Sequence, residues 1–285
     1  MKILIKKFYL KFFPKKLFYI NDQESLKNVF IELEKSKLIA IDTEFDWRNT
    51  YFPILSVMQI ATEGKIFIID FLEKLNLEPL KNIMLSKKIK VIFHAARSDT
   101  TVLSKCFGLK LENVFDVQVA DKIINNCNVK SYASLVKENL GIELDKSETN
   151  SNWLKRPLSE DQIKYCAEDV NYLIEIYKIQ KKILLRRSNY EKALMHSKKE
   201  ALLGNMELKD LRIKKNRNFS KSEAKIFLWR EKLAIKKNIP PSYIFKDKQI
   251  SYLSKIKEND KKLKQKLMSK LGDTDLVIDY ISKIY

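Results

Sequence analysis

The stretch "KLIAIDTEFDW" (residues 37–47) decides how the chain is read. Leu38, Ile39, Ala40 and Ile41 make a short apolar run of the kind found in a strand inside a sheet. The run ends on Asp42, Glu44 and Asp46. Asp42 and Glu44 are two apart, so on a strand both point to one face. Carboxylates crowded at the end of a buried strand repel one another and lose hydration, so a positive group must offset the cost. Asp46, one pleat further, is read as solvated loop.

Outward from this strand, "DQESLKNVFIELEKSK" (22–37) has helical spacing through Leu26, Val29, Phe30 and Leu33. Further strands are predicted at 54–62 and 65–70. The Glu63–Gly64 pair between them reads as a hairpin turn, so the first three strands form an antiparallel meander. A helix near 77–86, a strand at 90–94, a helix from about 98, a short strand at 113–117 and helical stretches at 131–140 and 159–185 come next. This order predicts an α/β fold, a mixed sheet with helices packed on it. From 219 the chain turns wholly helical. Ser220 followed by Glu223 is a capping-box signature, and "NIPP" (238–241) stops the helix. "DKQISYLSKI" (247–256) and "DTDLVIDYISKI" (273–284) predict more short helices. The expected organisation is a basic extension over 1–16, an α/β domain over 17–205, a basic linker over 206–218 and a helical domain over 219–285.

Charge obeys the same division. The 285 residues carry a formal net charge of +19. Residues 1–16 hold +6, residues 17–190 only +1, and residues 191–285 hold +12. A near-neutral body with a basic C-terminal quarter points to a polyanion partner, nucleic acid before an acidic membrane. Cys106, Cys127 and Cys166 are odd in number and widely spaced, which indicates neither a disulfide framework nor a zinc knuckle and fits a cytoplasmic protein. The apolar runs of the first twenty residues are broken by lysines and precede no cleavage site, so a signal peptide is not expected. Neither a membrane span nor a protein partner is indicated.

More acids fall on other elements. "HAARSDTTVL" (94–103) places Asp99 near a helix start, and "YCAEDVNYL" (165–173) puts Tyr165 and Asp169 side by side on one helical face. Oxygen-only ligands suit Mg²⁺ or Mn²⁺ rather than zinc. With two histidines, no G-x-S-x-G, no H-E-x-x-H and no P-loop, the chain offers little to hydrolytic triads, zinc proteases or P-loop enzymes.

"IAIDTEFDWRNTYFPILSVMQIA", "HAARSD" and "NWLKRPLSEDQIKYCAEDVNYL", in this order and spacing, resemble ribonuclease D and its relatives over residues 18 to 205. "FSKSEAKIFLWREKLAIKKNIPPSYIFKDKQI" resembles the helical HRDC domain that comes after the exonuclease there. The resemblance implies a ribonuclease H-like mixed sheet flanked by helices, then a small all-helical HRDC-like domain. It further implies two divalent metal ions, with Asp42, Glu44, Asp99 and Asp169 as their ligands and Tyr165 positioning the attacking water. The implied reaction is 3′-to-5′ removal of nucleoside 5′-monophosphates from RNA, in trimming of transfer-RNA and other stable-RNA 3′ ends. Lys164 stands where a related branch has histidine, which places the chain with the tyrosine branch. Ribonuclease D commonly has two HRDC copies and this chain has room for one. Ala96, Arg97 and Ser98 also replace a common Gly-Ser-Glu.

Five further residues are candidate substrate contacts: His94, Arg97, Lys214, Lys215 and Arg217. Asp116 reads as a helix cap, and Trp153 and Trp229 as core. Two other functions fit the same residues. A DNA-directed exonuclease would share every acid, and a non-catalytic RNA-binding protein would use the basic helical domain alone. The second fits poorly, because uncompensated carboxylates hinder phosphate binding.

Overall fold

The computed structural model describes residues 15–144, 151–215 and 218–285. Most of the predicted basic extension and Arg217 lie outside them. The described chain divides into two units. The first holds the described residues up to Asp46 together with Ile54–Asn205, and the second holds Trp47–Pro53 and Met206–Tyr285.

The first unit is built on β1 (Lys16–Ile20), β2 (Leu38–Asp46), β3 (Ile54–Ala61), β4 (Lys65–Asp70), β5 (Lys90–Phe93) and β6 (Val114–Asp116). They form one sheet in the order β1-β4-β3-β2-β5-β6. The β2–β3–β4 meander is antiparallel, as the turn at Glu63–Gly64 predicts, while β1, β5 and β6 pair parallel. Ile39 and Ile41 of β2 join one core cluster while Ala40 joins the other, the alternation a strand imposes. The cluster of Ile39 and Ile41 packs with α1 (Gln23–Glu34), α2 (Glu78–Leu85) and α3 (Arg97–Phe107). That of Ala40 packs with α4 (Val117–Asn125), α5 (Tyr132–Leu140), α6 (Glu160–Asn171) and α7 (Leu173–Arg186), and α8 (Tyr190–Gly204) contributes to both clusters. The result is a helix–sheet–helix sandwich.

Three expectations change. The stretch 159–185 is two helices, broken at Tyr172, whose N–H donates to the Tyr132 hydroxyl at 3.2 Å. Asp46 is no solvated loop: β2 runs through it and it is 7% exposed. Part of the expected linker is helical, since Leu208–Lys215 form α9 in the second unit.

The second unit continues with α10 (Lys221–Lys237), α11 (Pro241–Ile244), α12 (Ile250–Leu253), α13 (Leu263–Leu271) and α14 (Thr274–Ile284). The capping box forms as read: Glu223 N–H donates to Ser220 Oγ at 3.2 Å and Ser220 N–H to Glu223 Oε2 at 2.9 Å. Asn238 ends α10 in the left-handed region, φ 48°, just before the two prolines. Among the described residues, no helix is long and apolar enough to cross a membrane.

Candidate active site

Three elements bring the acids together. β2 carries Asp42 and Glu44 on the side of the sheet where Ala40 meets α6. Ser159 and Gln162 cap the start of α6 reciprocally, at 3.1 and 3.0 Å, which fixes where its first turn begins. One turn apart on that helix, Tyr165 and Asp169 are then neighbours. Carboxylate oxygens of Asp42, Glu44 and Asp169 all lie within 4.8 Å of one another, near enough to share a cation.

Asp99 stands outside this trio for a reason of pleat. It lies in the first turn of α3, the helix that packs with the cluster of Ile39 and Ile41, and it is reached from β2 by Thr43, the residue between the two strand acids. Thr43 Oγ1 donates to Asp99 Oδ1 at 2.7 Å, and both side chains are buried. Asp116, the end of β6, positions the start of α3. Its carboxylate caps α4 by accepting from Gln118 N–H at 2.9 Å, as its sequence context predicts. It also accepts Ala95 N–H at 3.1 Å and Ala96 N–H at 2.8 Å. These bonds hold Ala95 at φ 60°, a left-handed turn that costs a non-glycine residue about 1 kcal/mol. Gly204 at the end of α8 completes the support. A Cβ there would stand 2.7 Å from Thr101 N and 2.9 Å from Arg97 O, so only glycine lets α8 approach the first turn of α3 this closely.

The electrostatics of the four acids are one-sided. Burial, then the charges of Asp99, Asp169 and Glu44, push Asp42 well above the usual carboxylate range. Burial and the charges of Asp169 and Asp99 push Glu44 up to about 9. Asp99 and Asp169 rise to about 7, in each case chiefly through burial, with hydrogen bonds from Thr43 and from Tyr165 respectively working against it. Burial is the first cause of all four shifts, and for Asp42 and Glu44 the neighbouring carboxylates add to it. An all-oxygen donor set with unbalanced negative charge fits a hard divalent cation, which would supply the missing positive charge.

The motif before α6 has a structural task. Arg156 forms a two-point ion pair with buried Asp70 at the end of β4, Nη2 to Oδ1 at 2.7 Å and Nε to Oδ2 at 2.5 Å. It also donates to the Trp153 carbonyl at 2.8 Å and to Ser56 Oγ at 3.0 Å. Tyr19 of β1 donates to the same Asp70 carboxylate. The strap before α6 is thereby tied to strands on both sides of β4. Sequence reading assigned this arginine no role, although Asp70 ends a buried strand as conspicuously as Asp42 does.

Of the other candidates, His94 has a local partner, its Nε2 lying 3.0 Å from the Lys130 carbonyl. Arg97 is exposed and paired with Glu200, its Nε donating at 2.9 Å. Arg97 borders a cavity of about 630 Å³, also lined by Lys122, Lys192 and His196, that none of the four acids lines. Lys214 and Lys215 are exposed at the end of α9 in the second unit. Trp153 and Trp229 are both buried, at 4% and 7% exposure.

Comparison with known proteins agrees with this geometry. A family model described as 3′-5′ exonuclease matches residues 17–185. Ribonuclease D of Desulfotalea psychrophila is 33% identical over 242 residues, covering 80% of this chain and 64% of the relative. That of Bartonella henselae is 33% identical over 237 residues, covering 80% and 58%. The chain thus spans about three fifths of the length of these curated relatives. Among solved structures, Escherichia coli RNase D, an exoribonuclease involved in structured RNA processing, matches with a TM-score of 0.76 at 24% identity, over 84% of this chain and 66% of that one. Trypanosoma brucei RNase D in complex with RNA U12 matches with a TM-score of 0.61 at 18% identity, over 72% and 75%. With the sheet, the strap and the acids in the order the resemblance requires, the chain belongs to the 3′-5′ exonuclease family and within it resembles ribonuclease D.

Proposed function

We propose that the protein is a 3′-to-5′ exoribonuclease that releases nucleoside 5′-monophosphates from RNA 3′ ends, with transfer-RNA precursors and other stable RNAs as its substrates, in the cytoplasm. The observation that carries the reading is the convergence of Asp42, Glu44 and Asp169 within 4.8 Å, with Asp99 held beside them by Thr43. In this reading these four side chains hold two divalent ions, Mg²⁺ or Mn²⁺. When bound, such ions activate water near neutral pH and offset charge on the scissile phosphate and the leaving 3′-oxygen.

The chain's own groups do the rest. Asp42 and Glu44 are aimed by the pleat of β2, and Asp169 by its helix. Tyr165 orients the attacking water through its hydroxyl, whose hydrogen bond to Asp169 fixes the ring in place. A phenol with an ordinary pKa near 10 is a poor general base at pH 7, so orientation is its contribution. Contact of Arg97 with RNA would exchange the Glu200 carboxylate for a phosphate, and Lys214 and Lys215 would meet phosphates further along the strand. The relatives named ribonuclease D and the neighbour solved with RNA support RNA as the substrate.

The deciding experiment incubates the full chain with uniformly labelled RNA and with DNA, each with Mg²⁺ and with EDTA. Stepwise release of monophosphates from RNA in Mg²⁺ alone is expected. Equal or faster release from DNA would replace the substrate assignment. Binding of RNA with no release in either Mg²⁺ or Mn²⁺ would remove the enzyme reading.

A further inference from the structure

The strand that presents Asp42 and Glu44 has a second end, and that end is crowded with the opposite charge. A groove of about 580 Å³ lies there, lined by Lys37, Lys178, Lys181, Lys182 and Arg186 beside Leu38, the first residue of β2. All of it belongs to the first unit. Residues 178, 181, 182 and 185 have the i, i+3, i+4, i+7 spacing of one helical face. α7 buries Ile176, Tyr177, Gln180 and Leu184, and turns this face outward, with Leu185 55% exposed. Lys90, which begins β5, pairs with Leu38 and adds a sixth cation. Residues 17–190 balance to a net +1, so this gathering is a local excess and not the composition of the whole.

Carboxylates offset only part of it. Lys178 is paired with Glu63 and, at 3.8 Å, with Glu175. Lys181 lies 5.7 and 5.6 Å from the ring centroids of Tyr177 and Tyr190. Burial depresses the Lys90 ammonium, the Glu191 carboxylate works against this, and the charge of Lys181 depresses it further. Lys37, Lys182 and Arg186 are exposed and, among the described residues, have no carboxylate partner. Like charges held together in this way favour a polyanion. A concave groove suits a ribbon of phosphates, whereas a bilayer meets a protruding apolar face. The Tyr177 ring is 3% exposed and its hydroxyl lies 3.0 Å from that of Tyr190, so it offers no base a stacking face. We infer that this groove is an exosite that grips the phosphate backbone of RNA upstream of its 3′ end, without reading sequence. Lys37 stands five residues before Asp42, roughly 16 Å along an extended strand, so the exosite meets only substrates long or folded enough to span that distance. It rests on RNA as the substrate of the acids, and adds a second contact region to the same unit.

The test uses the full chain and combines Lys37→Gln, Lys182→Gln and Arg186→Gln. Binding of an RNA hairpin with a single-stranded 3′ tail is measured in Ca²⁺ across a salt series. Losing three phosphate contacts should flatten the slope of log affinity against log salt by about 2 to 3. Glutamate at the same three positions should weaken binding further at every salt concentration. Lys37→Arg with Lys182→Arg keeps the charge and should keep the wild-type slope. The glutamine variant should cleave a dinucleotide RNA with wild-type kcat and KM, because so short a substrate cannot span from the acids to the groove. An unchanged slope in the glutamine variant would overturn the inference, as would an impaired dinucleotide reaction, which would tie these residues to the chemical step. Binding to vesicles of phosphatidylcholine and phosphatidylserine that the variant loses, beside an unchanged RNA slope, would make the groove a membrane surface instead. Should the triple variant fail to fold, Arg186→Gln alone decides, with an expected flattening of about 0.7 to 0.9. If the wild-type chain proves not to be a nuclease, the salt series still decides the groove, since binding in Ca²⁺ needs no turnover.

Discussion

Two sets of buried charge sit two strands apart in the same sheet and behave in opposite ways. At the end of β4, burial by itself would raise Asp70, but the Arg156 guanidinium and the Tyr19 hydroxyl hold its pKa below the usual value. At the end of β2, burial raises Asp42 and Glu44 and their neighbours raise them further. The first set is complete within the protein and ties elements together. The second is incomplete and calls for a cation from outside. A buried carboxylate with its own arginine is architecture, and one raised further by neighbouring carboxylates is a candidate cation site.

The largest effects should come from breaking the incomplete set. Asp42→Ala or Asp169→Asn should lower turnover on the order of 10³-fold or more, as loss of a group that stabilises the transition state does. Metal-free stability should hold or rise, since one repelling charge is gone. The same logic fixes the pH dependence. Asp99 and Asp169 titrate near 7 and Glu44 near 9 in the folded chain, against ordinary values near 4 when unfolded. Between about pH 4 and pH 9 the native state thus binds more protons than the unfolded one. Metal-free stability should therefore be highest at the acid end and fall as pH rises through that window, and saturating Mg²⁺ should flatten the fall. Urea melts from pH 5.5 to 9 with EDTA or Mg²⁺ check both signs. A stability that rises with pH in EDTA would contradict the electrostatics of the site.

Breaking the complete set should cost stability in place of chemistry. Arg156→Ala leaves Asp70, whose side chain is 1% exposed, without its guanidinium. Removing one partner of such a pair costs roughly 3 kcal/mol. Arg156→Lys should recover little, because a lysine cannot make the two-point pair. Denaturant unfolding measures both. Tyr165→Phe sharpens the contrast from the other side, because it should lower single-turnover cleavage by about 100-fold and leave Mn²⁺ affinity and unfolding nearly unchanged. Wild-type single-turnover rates would return Tyr165 to its packing beside Trp153.

What could be read from sequence was local or periodic. The apolar run into Asp42 and Glu44, the i, i+4 pair of Tyr165 and Asp169, and the Ser220–Glu223 box all lie within a few residues, and the side-by-side placements were legible for that reason. The thread from Thr43 to Asp99 was not, since it depends on which side of the sheet α3 packs. Asp46 was misjudged because one pleat beyond a motif gives no sign of where a strand ends. The segment "LKDLRIKK" (208–215) looked like linker because only Leu208 of it is buried, leaving no apolar stripe to betray a helix. The burial of Tyr51 was the least legible of all. Its partners Glu231 and Asn238 lie 180 and 187 residues away, and "WRNTYFP" carries only loop signals.

The smallest effect should come from charge that neither ties elements together nor holds a cation. Lys214 and Lys215 are exposed, and each phosphate contact by such a group adds about 0.7 to the slope of log affinity against log salt for single-stranded RNA. Cutting the chain after residue 205 is a poor way to test them, because it would remove the groups that bury Tyr51 along with the charge. Lys214→Gln with Lys215→Gln in the full chain removes the charge alone. Binding of a long structured RNA in Ca²⁺, measured across a salt series, should show a slope flatter by about 1.4 if both contact phosphate. Cleavage of a dinucleotide should be unchanged, since so short a substrate makes no contacts far along the strand. An unchanged slope would mean that these lysines serve solubility. A slower dinucleotide reaction would show that their charge bears on the chemical step and not only on binding along the strand.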